Sequence, residues 1–204
     1  MKSAKKYGYV FISIPEGYEV ASDGILPMVH KRLFLDETNP EKVDFELYEA
    51  GNQVNYTLLV MGDMHLANRT NDRTQFSYFV NDVNEYISAH PGEKIYGITL
   101  GDMTWDLYWY SNNYQFKEYL NDVNKIKGID IFHTIGNHDH EMNAAGDFDT
   151  ILKYTDIIAP DYYSFNIGDI HYIILDNIKC TNSGNGDRTY DTMVSTEQLE
   201  WLKK

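Results

Sequence analysis

Between residues 55 and 135 the chain repeats one rhythm: an apolar run, a polar loop, then apolar residues at helical spacing. That pattern belongs to a mainly parallel sheet covered by helices. It predicts strands over residues 56–61, 94–100 and 130–135. Helices are predicted over 74–89, with Phe76, Phe79, Val80, Val83 and Ile87 on one face, and over 114–127, with Phe116, Leu120, Val123 and Ile126 likewise. Farther along, residues 162–167 and 171–175 flank Gly168-Asp169 and read as an antiparallel hairpin. A parallel half is thus followed by an antiparallel one.

The first fifty residues have a different texture. Residues 7–14 are β-branched and aromatic and stop at Pro15-Glu16-Gly17, as a strand closed by a turn does. Residues 43–48 alternate apolar with acidic, which suits a strand with one wet face. Between them lie Gly24, Pro27 and the turn cluster 36–40. Residues 1–50 are therefore expected to be a remnant of a β-rich module, joined near Ala50-Gly51-Asn52 to a larger α/β domain over 51–204. At the other end, Ser195 and Gln198 have the spacing of a capping box. The helix they open reaches Lys204 without a C-terminal cap, so the chain is expected to be a fragment.

Composition narrows the function. The chain has 204 residues, enough for one α/β domain with a small appendage, and 43% hydrophobic residues give it a globular makeup. Its 17 basic residues against 31 acidic ones leave a net charge of −14, which argues against a surface built to neutralise nucleic-acid phosphates. No apolar run approaches the roughly 20 residues that cross a bilayer, and no apolar core follows the basic start, so neither a span nor an intact signal peptide is expected. Cys180 is the sole cysteine, so no intramolecular disulfide is possible. The sequence does not fix the compartment.

Each predicted parallel strand runs into polar residues of one kind: Gly62-Asp63-Met64-His65, Gly101-Asp102 and Gly136-Asn137-His138-Asp139-His140. The carboxyl ends of parallel strands lie side by side, so three loops deliver carboxylates, an amide and imidazoles to one crevice. Taken singly, Asp-x-His is common and Gly-Asp is ordinary turn chemistry. Gly-Asn-His-Asp after an apolar strand has no packing rationale, and all three in order point to a metal site. Such a mixed donor set suits Mn, Fe, Zn or Ni better than the oxygen cages that hold Ca.

The ordered set Asp63-x-His65, Gly101-Asp102 and Gly136-Asn137-His138-Asp139 resembles the calcineurin-like metallophosphoesterases, over residues 55–204. Residues 8–50 resemble the end of a β-rich N-terminal domain found in one bacterial, often exported, branch. The resemblance implies a calcineurin-like αββα sandwich, here partial, and a hydrolase of small phosphorylated substrates with two divalent ions. It implies that Asp63 and His65 hold the first ion, that Asp102 bridges both, and that Asn137 binds the second. His138 would protonate the leaving oxygen or stabilise charge on the phosphoryl group, with Asp139 fixing its orientation. Two cations roughly 3.5–4 Å apart can share a hydroxide and offset charge on a phosphoryl group attacked in line.

The family completes its metal shells with a Gly-His and a Gly-His-x-His segment, and neither occurs in this chain. An incomplete site and poor activity of the chain alone are therefore expected. A catalytically silent binding relative and a pyrophosphatase or nuclease on the same scaffold stay open as alternatives. Of the other histidines, His133 and His171 read as core or sheet residues, His90 as a helix end, and His140 as either a pocket residue or a buried one. The aromatic loop 105–110 would form a packed wall or shape substrate entry, and Asp106, four residues after Asp102, could support the site.

Overall fold

The computed structural model describes residues 7–34 and 42–204, so the turn cluster at 36–40 lies outside the described residues. The strand-rich start contains β1 (Tyr7–Phe11), β2 (Tyr18–Val20), β3 (Ser22–Asp23), β4 (Leu26–Pro27), β5 (His30–Phe34) and β6 (Leu47–Glu49). These pair antiparallel as β1 with β5, β2 with β6 and β3 with β4. The strand predicted over 43–48 is shorter and later, because only Leu47–Glu49 meets a partner strand. The strand-rich start is tied to the rest of the chain: Ile14 forms a parallel bridge to Phe165, and Ile131 N donates to Ile25 O at 2.8 Å. Ile14, Val20, Ile25, Leu26 and Val29 enter the same hydrophobic cluster as Ile131, Phe132 and Phe165.

The α/β part begins with β7 (Tyr56–Met61), α1 (Asp72–Ala89), β8 (Lys94–Thr99), α2 (Phe116–Val123) and β9 (Ile131–Phe132). The three strands form one parallel sheet in the order β7-β8-β9. α1 buries Phe76, Val80 and Val83, three of the five residues on its predicted face. Two elements are shorter than the sequence suggests. The third strand, predicted over 130–135, ends early because beyond Phe132 side chains take over the backbone donors: His133 N donates to Tyr163 Oη and Thr134 N to Thr99 Oγ1, each at 3.0 Å. The helix predicted over 114–127 starts where Glu118 accepts from Gln115 N at 3.0 Å. It tightens into i+3 turns after Val123, with Lys125 N bonded to Asp122 O and Ile126 N to Val123 O. Its buried face also includes Tyr119, which the apolar pattern passes over and which is fully buried.

α3 (Gly146–Ile157) comes next, then β10 (Tyr163–Ile167) and β11 (Ile170–Ile174), which form the expected hairpin around Gly168-Asp169. Phe132 of the parallel sheet stacks on Phe165 of this hairpin, with ring centroids 3.6 Å apart, and the two sheets meet there. The hairpin of β12 (Ile178–Cys180) and β13 (Tyr190–Thr192) is not predicted by the pattern, nor is α3, whose three aspartates and two threonines dilute its apolar spacing. α4 (Thr196–Leu202) is capped as predicted by Ser195, whose Oγ accepts from Gln198 N at 3.2 Å. The reciprocal half of the capping box is replaced: the buried Gln198 amide instead pairs with the backbone of Asp176, at 2.9 Å and 2.8 Å. Together these elements make the α/β fold expected from the sequence, preceded by a strand-rich region. Among the described residues no helix is long and apolar enough to cross a membrane.

Candidate metal centre

The parallel pairing of β7 with β8 continues past the sheet. His65 N donates to Asp102 O at 2.9 Å, Leu66 N to Met103 O at 3.1 Å and Trp105 N to Leu66 O at 3.2 Å, so the first two loops are zipped together. The third loop presses on the second. A Cβ at Gly101 would lie 2.8 Å from Gly136 Cα, and one at Gly136 would lie 2.3 Å from Asp102 Oδ1. The glycines before Asp102 and Asn137 are thus what lets the loops approach.

In the crevice they form, His65 Nε2 lies 3.3 Å from Asp102 Oδ2 and 3.4 Å from Asp63 Oδ1. His138 enters from the third loop with its ring centroid 4.6 Å from that of His65, and its backbone N–H donates to Asp102 Oδ1 at 2.8 Å. Donor atoms of His65, Asp102 and His138 lie within 4.8 Å of one another. The structure therefore brings these three together directly and Asp63 through His65. Asn137, half-buried, stands beside His138 at the head of a one-turn 3-10 helix, Asn137–Asp139.

Two features of this geometry fit divalent cations. Asp63 and Asp102 both converge on one imidazole nitrogen, at distances longer than the 2.7–2.9 Å or so of a charge-assisted hydrogen bond. One proton cannot serve two carboxylates, whereas a cation among these donors can satisfy them all. The second feature is backbone strain. Five described non-glycine residues have positive φ, and three of them are Asp63 (+56°), His65 (+47°) and Asp102 (+52°). Each such residue costs roughly 1–2 kcal/mol, and this conformation persists where surrounding contacts fix it at a functional site.

A layer of supporting residues lies behind the donors. Asp106 Oδ1 stands 2.8 Å from His138 Nδ1, and the Arg188 guanidinium rests on both, with Nη1 3.2 Å from Asp106 Oδ1. The carboxylate bonded to the His138 ring is therefore that of Asp106 rather than that of Asp139. The Asp139 carboxylate is occupied elsewhere: it accepts from the backbone N–H groups of Gly136 (3.0 Å), Met103 (3.3 Å) and Thr104 (3.2 Å) and so clamps the second loop to the third. Burial, with the charge on Asp102 behind it, pushes the Asp139 carboxyl up to about 7. Arg188 escapes sequence reasoning because it sits in a polar stretch, 183–189, with no motif around it.

The aromatic loop divides its labour. Trp109 is fully buried and donates to Thr104 Oγ1 at 2.9 Å, a packing role. Trp105 faces the centre, its ring 5.0 Å from that of His65 and covered by the Arg69 guanidinium at 4.8 Å. Three of the remaining histidines stand apart from the centre: His133 is core, His90 binds Tyr86 O at the end of α1, and His171 is exposed on β11. His140 is fully buried, bonded through Nδ1 to Gly136 O, and belongs to a different group of donors from His65.

An α/β fold whose parallel strands deliver carboxylates and imidazoles to one crevice is the architecture of a metal-dependent hydrolase. The sequence model of the calcineurin-like phosphoesterases matches residues 56–204, well over half of the chain, and the chain belongs to that family. The family's chemistry is metal-dependent phosphoester hydrolysis, and its members bind divalent metals. No curated protein matches the chain.

Proposed function

We propose that this chain is a phosphatase or phosphodiesterase for small phosphorylated substrates. Asp63, His65, Asp102 and Asn137 would hold two divalent cations, of Mn, Fe, Zn or Ni. The observation that carries this reading is the convergence of His65, Asp102 and His138 at the carboxyl end of the parallel sheet, inside the family match. When bound, such cations supply Lewis-acid charge to phosphoryl oxygens and acidify water.

The chain's own residues do the rest. His138 gives a proton from Nε2 to the ester oxygen that departs as the P–O bond breaks, and Asp106, bonded to Nδ1, fixes the orientation of the ring. Arg188 adds a fixed positive charge 3.1 Å from His138 Nε2, placed for an anionic phosphoryl group. Trp105 walls one side, and Asp139 holds the turn that presents Asn137 and His138. In this reading residues 1–50 are a β-rich flank and 51–204 the catalytic part, since every site residue falls in the second.

The test is to strip the chain of metal, restore Mn, and follow hydrolysis of an aryl phosphate monoester and diester. Mn-dependent product release that disappears in Asp102→Ala supports the reading. Mn binding that is the same in Asp102→Ala as in the parent overturns it.

A further inference from the structure

His140 points into a second set of metal-type donors. Its ring, Asp147 in the first turn of α3 and Cys180 at the end of β12 bring their donor atoms within 4.8 Å of one another. His140 is fully buried, and its Nδ1–H donates to Gly136 O at 2.9 Å, so in the neutral ring Nε2 carries a lone pair. That nitrogen has no hydrogen-bond partner. Asp176 Oδ2 lies 3.5 Å away, well beyond a charge-assisted hydrogen bond. This buried nitrogen faces two carboxylates and a thiol, a setting that calls for a positive charge. Burial is outweighed by the Asp176 carboxylate, which holds the His140 pKa above its ordinary value, and a bound cation takes the place of that proton.

The other donors are held in place. Asp147 Oδ1 accepts from Cys180 N at 2.7 Å, and Asp176 Oδ1 accepts from Ile178 N at 2.9 Å, which leaves Asp176 Oδ2 toward His140. The three segments are already joined, since Gly146 N donates to Asn182 O at 2.9 Å and Ala145 bridges Ser183. Cys180 is buried, and Asp147 is the least buried of the three.

We propose that His140 Nε2, Cys180 Sγ and an Asp147 oxygen, with Asp176 as fourth donor, form a structural site for one divalent cation of the zinc type, separate from the candidate catalytic centre. Imidazole, thiolate and carboxylate are the donors zinc takes in four-coordinate sites. Bonds of about 2.0–2.3 Å put tetrahedral donors roughly 3.3–3.8 Å apart, so the group closes by about 1 Å on binding. Burial pushes the Cys180 thiol up to about 11, and the bound cation displaces its proton to solvent. The ion would pin the start of α3 and the end of β12 to the Gly136–His140 turn, two residues from His138.

Cobalt in place of zinc tests this, because thiolate-to-cobalt charge transfer is visible in the near ultraviolet and Cys180 is the only thiol. The full chain is produced in cobalt-supplemented medium as parent, Cys180→Ser, His140→Gln and Asp102→Ala, with cobalt content and spectra recorded. The expected result is a charge-transfer band that survives Asp102→Ala, vanishes in Cys180→Ser and shifts or fades in His140→Gln. Survival in Asp102→Ala also separates this site from the catalytic reading, whose failure would leave the band untouched. Cobalt bound without a band in the parent overturns the proposal, as does a band unchanged by His140→Gln. Should Cys180→Ser fail to fold, His140→Gln, which keeps the thiol, decides.

Discussion

Asp106 accepts a hydrogen bond from His138 Nδ1 at 2.8 Å while itself wholly buried, so the candidate general acid is held by a carboxylate that water does not reach. Asp106→Asn keeps the shape and removes the charge. It should lower kcat by about 10- to 100-fold and leave KM nearly unchanged, because the ring loses the carboxylate that orients it. His138→Ala should cost roughly 100-fold or more in kcat with Mn content intact. Steady-state kinetics on an aryl phosphate with parallel metal analysis checks both, and equal turnover in His138→Ala would remove that residue from the mechanism.

The approach of the second and third loops leaves no room at Gly136, where a methyl group would lie 2.3 Å from Asp102 Oδ1 and 2.4 Å from Asp102 N. The obstacle is backbone as well as side chain, so relaxation must move a loop. Gly136→Ala should destabilise the fold by about 1–3 kcal/mol and weaken Mn binding by more than tenfold. Chemical denaturation and Mn titration would show it, and unaltered binding would mean that the loops need not sit so close.

Much of this arrangement is legible in the sequence because it depends on order and spacing. Asp63, His65, Asp102 and His138 each come after a parallel strand, and parallel strands bring their ends together whatever the details of packing. β7 and the β10–β11 hairpin are legible for the same reason: apolar runs with clear stops. What escapes depends on contacts distant in sequence. Asp139 and Asp106 both lie near the ligands, and only the fold shows that Asp139 faces three backbone donors while Asp106 faces the ring. Arg188 reaches His138 from 50 residues away through a polar loop. β9 falls short because hydroxyls of Tyr163 and Thr99 replace strand partners, which no local pattern reveals.

Buried His133 supplies a pH signature independent of the metal centre. Its Nδ1–H donates to Ile131 O at 2.9 Å and its Nε2 accepts from Tyr119 Oη at 3.0 Å, an environment for the neutral ring. Burial pushes its pKa down from 6.5 to about 3. The unfolded chain therefore takes up the proton first as pH falls. The stability this neutral ring preserves is complete above about 6.5, and it is lost at on the order of 1.4 kcal/mol per pH unit between there and about pH 3. Urea unfolding at about pH 7.5 and about pH 4.5 should show a smaller loss in His133→Gln than in the parent. Equal losses would mean that His133 is not the group responsible.

A metal-dependent phosphoesterase built around Asp102 is tested most directly by Mn stoichiometry and Mn-dependent hydrolysis measured together on the same metal-stripped and reloaded preparation, parent against Asp102→Ala. The expected result is Mn bound by the parent, product released only with Mn present, and both lost when the carboxylate between the first and third loops is removed. Mn binding and hydrolysis that are indifferent to Asp102 would contradict it.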